Sequence, residues 1–157
     1  MKSTGQMMTL SEKTQSVMVN ANNEAQRSGS ENIQLIHVLI AVLSVEVLSG
    51  KHRASVVLWN LGHAIDTILR DARLCVTPDG SAVHSSRLEK APETKQVLII
   101  ASGVSAECNY KVIHTDHILY GLAVYAENNP EDDVGVIFAR HCISSKAVKD
   151  ELSVERE

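Results

Sequence analysis

Apolar residues recur at Val17, Ala21 and Ala25, four positions apart, just after "TLSE" (Thr9 to Glu12). That spacing predicts a helix whose start is a capping box, with the Thr9 oxygen taking one free backbone N–H and Glu12 reaching back to another. Gly29 supplies the residue that can turn the chain at its end. The next stretch, Leu35 to Leu48, is apolar on nearly every side and interrupted by His37, Ser44 and Glu46. It is too short to span a bilayer and predicts a buried helix. Two shorter helices follow, Arg53 to Leu61 closed by Gly62, and Ala64 to Leu74. Later in the chain the order repeats: a helix opened by Pro92, whose missing N–H costs nothing in a first turn, then Asp116 to Ala126, Val134 to His141 and Ser145 to Leu152.

Sliding the chain against itself by 80 positions aligns the copies without a gap. Thr14 meets Thr94, Val17 meets Val97, Ala21 meets Ala101, Ile33 meets Ile113, His37 meets His117, Leu39 meets Leu119 and Val56 meets Val136. Conservative matches lie between them, such as Met18 with Leu98, Val19 with Ile99 and Leu58 with Phe138. A repeat at fixed shift predicts one structural unit built twice. The expected fold is an all-α domain of about eight helices in two pseudo-symmetric four-helix repeats. The repeats run over about residues 9–75 and 89–153. The linker, 76–88, contains the Pro-Asp-Gly turn of "TPDGSAVHSS".

Composition narrows the function. With 157 residues and 44% hydrophobic content, the chain can bury a core, and 3% aromatics make that core aliphatic. The net charge is −4, and the basic residues are scattered, so nothing follows a phosphate backbone and no nucleic acid is expected. "MKSTGQMMTLSEK" lacks the apolar core of a secretory signal, and no membrane association is expected. Cys75, Cys108 and Cys142 are far apart and lack CxxC spacing, which fits reduced, buried thiols in a cytoplasmic protein. At the only Gly-Lys pair, Gly50-Lys51, Val45 stands where a phosphate-binding loop needs its first Gly and His52 where it needs Ser or Thr. ATP hydrolysis by that route is therefore not expected, and no cofactor is implied.

The candidate chemistry lies in "KVIHTDHIL" (111–119), whose counterpart in the first copy, "ENIQLIHVL" (31–39), has Ile36 in place of Asp116. Thr115, just before the expected helix, can cap it, and Asp116 in the first turn is favoured by the helix dipole. His117 and His37 read as packed core histidines. His114, Asp116 and His117, with Cys108, are the alternative, a metal site of a small metal-dependent enzyme, although no HExxH-like pattern follows. Met7, Met8 and Met18 read as tail and core. "NNPEDD" (Asn128 to Asp133) reads as a solvated loop or a dock for a basic partner.

The second copy, "VLIIASGVSAECNYKVIHTDHILYGL" (Val97 to Leu122), resembles the N-terminal repeat domain of the Clp ATPases, the unfoldases that feed the Clp protease or rescue aggregates. That family's repeat has a first helix with small residues, a loop with an aromatic, Thr-Glu-His, and then a helix with a Leu-Gly end. Thr115, Asp116 and His117 fall on Thr-Glu-His, and Tyr110 on the aromatic. In the first copy, "EAQRSGSENIQLIHVLIAVL" and "VVLWNLGHAIDTIL" match, with Leu35 and Ile36 replacing Thr and Glu. The resemblance covers about residues 9–153. It implies a non-enzymatic protein-binding module of the Clp chaperone and protease system, an adaptor, decoy or modulator recognising client segments or Clp partners; the alternative is the excised substrate-receiving head of a longer Clp ATPase. In bacterial relatives the motif's Glu helps bind arginine-phosphorylated clients, once per repeat. Only Asp116 keeps a carboxylate here, so the resemblance implies one acidic pocket for arginine or phosphoarginine at Thr115, Asp116 and His117, and an apolar patch at Ile36.

Overall fold

The computed structural model describes residues 8–49, 53–76 and 87–152. Gly50-Lys51, Met7, most of the expected linker and the last five residues lie outside them. In chain order the elements are β1 (Thr9–Leu10), α1 (Glu12–Arg27), β2 (Asn32–Ile33), α2 (Leu35–Ser49), α3 (Arg53–Asn60) and α4 (Ile65–Leu74), then β3 (Glu89–Lys90), α5 (Pro92–Glu107), β4 (Val112–Ile113), α6 (Thr115–Asn128), α7 (Asp133–Arg140) and α8 (Ser145–Glu151). Every element of the second half starts 80 residues after its counterpart in the first. The two pseudo-symmetric four-helix repeats are therefore present, and helix limits agree with the apolar pattern to within about two residues.

Helices α2 and α6 form the centre. Leu35, Val38 to Leu43, Ile118, Leu119, Leu122 and Ala123 are all buried. Around them α1 packs on α2 and α5 on α6, and each central helix also packs on a helix of the other repeat, α2 on α7 and α6 on α3. Large aliphatic side chains in one continuous cluster supply most of the driving force, at roughly 25 cal/mol per Å² of apolar surface buried.

Two features were not legible in the sequence. The first is a pair of two-residue parallel ladders that cross between repeats, β1 with β4 and β2 with β3. They extend into the helices: Ser11 N donates to Ile113 O at 3.0 Å and Ala91 N to Ile33 O at 2.9 Å. Each repeat thus satisfies backbone groups just before the other's first helix. The second concerns that helix start. Ser11, not Thr9, is the cap of α1, with its Oγ accepting from Thr14 N at 3.2 Å, because Thr9 is committed to the ladder. The cysteines also depart from expectation: Cys108 is buried, but Cys75 and Cys142 are exposed at helix ends. Cys142 has φ 58°, and its counterpart Gly62 has φ 82°, so the turn that ends α3 is kept at the end of α7 by a residue that adopts it less easily.

Two helical glycines predict opposite effects. A Cβ on Gly135 would overlap the Asn129 carbonyl oxygen and come within 2.9 Å of Pro130 Cα, both backbone. Gly103, on the exposed side of α5, has open space around it. Gly135→Ala should lose about 1–3 kcal/mol through overpacking that outweighs its helix propensity. Gly103→Ala should gain up to about 1 kcal/mol. Thermal unfolding followed by circular dichroism should show the two melting temperatures moving in opposite directions.

Candidate functional site

The residues singled out in "KVIHTDHIL" do come together, around the start of α6, but Thr115 and Asp116 find partners in the other repeat. α3 begins at Arg53, and its first N–H groups need acceptors. Thr115 supplies one: its Oγ1 accepts from Ala54 N at 3.2 Å. Thr115 is thus the first residue of α6 rather than its cap, and it caps α3 instead. The position before it, His114, is the N-cap residue of α6.

Asp116 takes the side chain of the same helix start. Arg53 Nε donates to Asp116 Oδ1 at 3.1 Å, and Arg53 Nη2 donates to the Tyr110 hydroxyl at 2.7 Å. The guanidinium also lies over the Tyr110 ring, 4.6 Å from its centroid, a cation–π contact. The Asp116 side chain is 5% exposed and that of Arg53 35%. The open acidic pocket expected here is therefore filled by the chain's own arginine. Burial alone would lower the Arg53 pKa; hydrogen bonds and charge from Asp116 and Tyr110 outweigh it and hold the guanidinium above its ordinary value.

His117 has a more specific task than packing. Its Nδ1 accepts from His114 N at 2.9 Å, the reciprocal half of a capping box with imidazole in place of Glu or Gln. His37 does the same in the first repeat, accepting from Gln34 N at 3.0 Å. The matching histidines are thus matching caps. An imidazole accepting through Nδ1 carries its proton on Nε2, and in His117 that atom is buried without a hydrogen-bond partner, 3.9 Å from Asp116 Oδ1. Burial is the main cause that lowers the His117 pKa to about 4; Asp116 opposes it and Arg53 and His114 add to it. Burial likewise lowers the His37 pKa, against Glu24.

The first repeat is built without these charges. Leu35 and Ile36, in the places of Thr115 and Asp116, are buried, and α2 packs on α7. That helix has its own cap: Asp132 Oδ1 accepts from Val134 N at 3.0 Å. Asp132 belongs to "NNPEDD", whose acidic run is in part a helix start. Position 36 is therefore apolar core rather than an exposed patch.

The proposed metal ligands do not form a set. Among the described residues no group of three or more His, Cys, Asp and Glu side chains is placed to hold a metal ion. His117 Nδ1 is engaged by the His114 N–H. Burial and then Asp116 and Glu107 push the Cys108 thiol up, which keeps it protonated at neutral pH. Tyr110, His114 and His117 instead form a ring cluster, with centroids 5.0 to 5.6 Å apart. Sequence reasoning missed Arg53. The only signal available was a helix start preceded immediately by His52 rather than by Ser, Thr, Asp or Asn.

A family described as the Clp repeat (R) N-terminal domain matches residues 9–131. Among solved structures, the ClpV N-domain from Vibrio cholerae is similar with a TM-score of 0.71 and 13% identity, over 90% of this chain and 81% of that one. The Hsp104 N-terminal domain from Candida albicans has a TM-score of 0.68 and 16% identity, over 91% and 88%. A ClpV N-domain in complex with a VipB peptide has a TM-score of 0.66 and 14% identity, over 93% and 90%. No curated protein sequence matches the chain. Among the described residues no helix is long and apolar enough to cross a membrane.

The neutral caps predict a pH dependence. A His117 pKa of about 4 in the folded state, against 6.5 unperturbed, means that the unfolded chain binds the proton more readily. Stability is then fully present above about pH 6.5 and falls as pH drops towards 4, by an upper bound on the order of 3 kcal/mol from this group. His37 and His63, also lowered, act in the same direction. His117→Gln keeps an acceptor for the cap and removes the titration. Urea unfolding between pH 7.5 and 4.5 should show a flatter profile for that variant, and an unchanged profile would contradict the assignment.

Proposed function

The chain belongs to the family of Clp repeat (R) N-terminal domains, and from that premise we propose that it is a non-enzymatic protein-binding module of the Clp chaperone and protease system, acting in the cytoplasm. Its ligands are client segments or components of the Clp ATPase and protease, bound as an adaptor, decoy or modulator. The observation that carries this reading is the fold shared with the ClpV N-domain that holds a VipB peptide. The substrate-receiving head of a longer Clp ATPase is the second reading, favoured by the likeness to the Hsp104 N-terminal domain.

For arginine-phosphorylated clients the reading is narrower. The cradle at Asp116 offers a carboxylate, an aromatic face and a phenol oxygen, and Arg53 fills all three. An incoming arginine or phosphoarginine has to displace it, and an intramolecular competitor is present at high effective concentration. The site as folded thus favours its own guanidinium over a free one.

Affinity capture from native lysate with quantitative mass spectrometry tests the main reading. Clp components or a recurring set of clients should be enriched over a helical domain of matched charge, and no enrichment would contradict it. Titration calorimetry tests the narrower one. Phosphoarginine should bind weakly to the wild type, about ten-fold or more tightly to Arg53→Ala, and not to Arg53→Ala combined with Asp116→Ala.

A further inference from the structure

The outer face of α1 is polar except at Val19. Val19 is 61% exposed and Ile99, its counterpart, 64%, whereas the other exposed side chains of α1 are Glu12, Lys13, Gln15, Ser16, Asn23 and Arg27. Single exposed aliphatics are ordinary. Val19 differs because it forms the lip of a groove of about 360 Å³ between α1 and the segment 87–90. That size is at the low end of ligand pockets, about 300–1,000 Å³. The apolar part of the groove is Leu10, Met18, Ile33 and Leu88. Leu88 N donates to Asn22 Oδ1 at 2.8 Å, which pins the segment to α1, so the groove is formed before any ligand arrives.

Charge gives the groove a direction. Among its described lining residues the charged ones are Arg87 and Lys90, both cationic, on a chain whose net charge is −4. On the far side of Val19 a shallow depression is lined by Glu12, Gln15, Ser16 and Asn20. A ligand lying across Val19 therefore meets cations on one side and a carboxylate on the other.

We infer that this groove docks a short acidic segment of a partner protein, with an aliphatic side chain over Val19 and its carboxylates towards Arg87 and Lys90. This rests on the protein-binding reading and deepens it by naming the surface and the ligand chemistry. Apolar contact supplies the anchor, and the two cations set orientation and select against basic segments.

The test is a nuclear magnetic resonance titration of the whole ¹⁵N-labelled chain with a synthetic peptide in which two leucines are flanked by glutamates. A version with lysines for the glutamates and one with serines for the leucines serve as controls. The glutamate peptide should shift amides of α1 around Val19 and of residues 88–90, with affinity falling as salt rises. Val19→Asp should weaken it about ten-fold or more, and Lys90→Glu about three- to ten-fold. Ile99→Asp, an equal change on the other repeat, should leave it unaltered. Equal binding of the lysine peptide, shifts confined to other surfaces, or no binding of the glutamate peptide would overturn the inference. So would contacts between residues 77–86 and Val19 in the free protein, since the chain's own segment would then be the occupant. Loss of partner capture from lysate in the wild type speaks against the protein-binding reading. Capture that Val19→Asp and Lys90→Glu leave intact speaks only against this groove.

Discussion

The start of helix α3 is satisfied from the opposite repeat, and the asymmetry of the molecule follows from that. Ala54 N–H goes to Thr115 and the Arg53 guanidinium to Asp116 and Tyr110, so three residues of the second repeat hold the first turn of a helix in the first. A half-buried guanidinium needs its partners more than an exposed one does. Removing one side of a buried pair leaves the other charge without compensation. Thr115 and Asp116 are thus bound to each other's purpose: one fixes the backbone of α3 and the other its first side chain.

The duplication explains why the equivalent contact is missing elsewhere. α7 carries Asp132 as its own cap, and Leu35 and Ile36, in the places of Thr115 and Asp116, are buried and apolar. In one copy the Thr and the charge serve the start of the neighbour's helix, at Ala54 N and Arg53. In the other the acceptor is supplied within the same segment. Elsewhere the symmetry is closely held. Leu88 N is taken by Asn22 and Met8 N by Ser102, 80 residues apart in both partners. Arg140 pairs with Asp71, and Asn60, its counterpart, with Glu151.

Much of this fold was legible in the sequence because helices of this kind are local objects. The four-residue spacing at Val17, Ala21 and Ala25, the capping signals, Pro92 and the left-handed ends at Gly29 and Gly62 all act within a few residues. The ladders were not legible: two-residue strands carry no period, and their pairing joins residues about 60 to 100 positions apart. The site was half legible. Thr115, Asp116 and His117 stood out, but a carboxylate at a helix start reads the same whether it faces solvent or a guanidinium from another helix. His117 as the reciprocal cap was within reach of sequence reasoning, since it stands at the third helical position, where Glu or Gln is the usual signal. A histidine there gives the same sequence signal as one that is simply packed in the core.

The account depends on Arg53 and Asp116 acting as one unit across the repeats, and a double-mutant cycle measures that directly. Arg53→Met, Asp116→Leu and the double variant would be compared with the wild type by urea unfolding at neutral pH, with the unfolding slopes checked for constancy. Each single variant leaves a partly buried charge unpaired, so the double should be more stable than the sum of the two losses predicts, by a coupling of about 1–3 kcal/mol. Losses that simply add would show that the two side chains stand side by side without holding the repeats together.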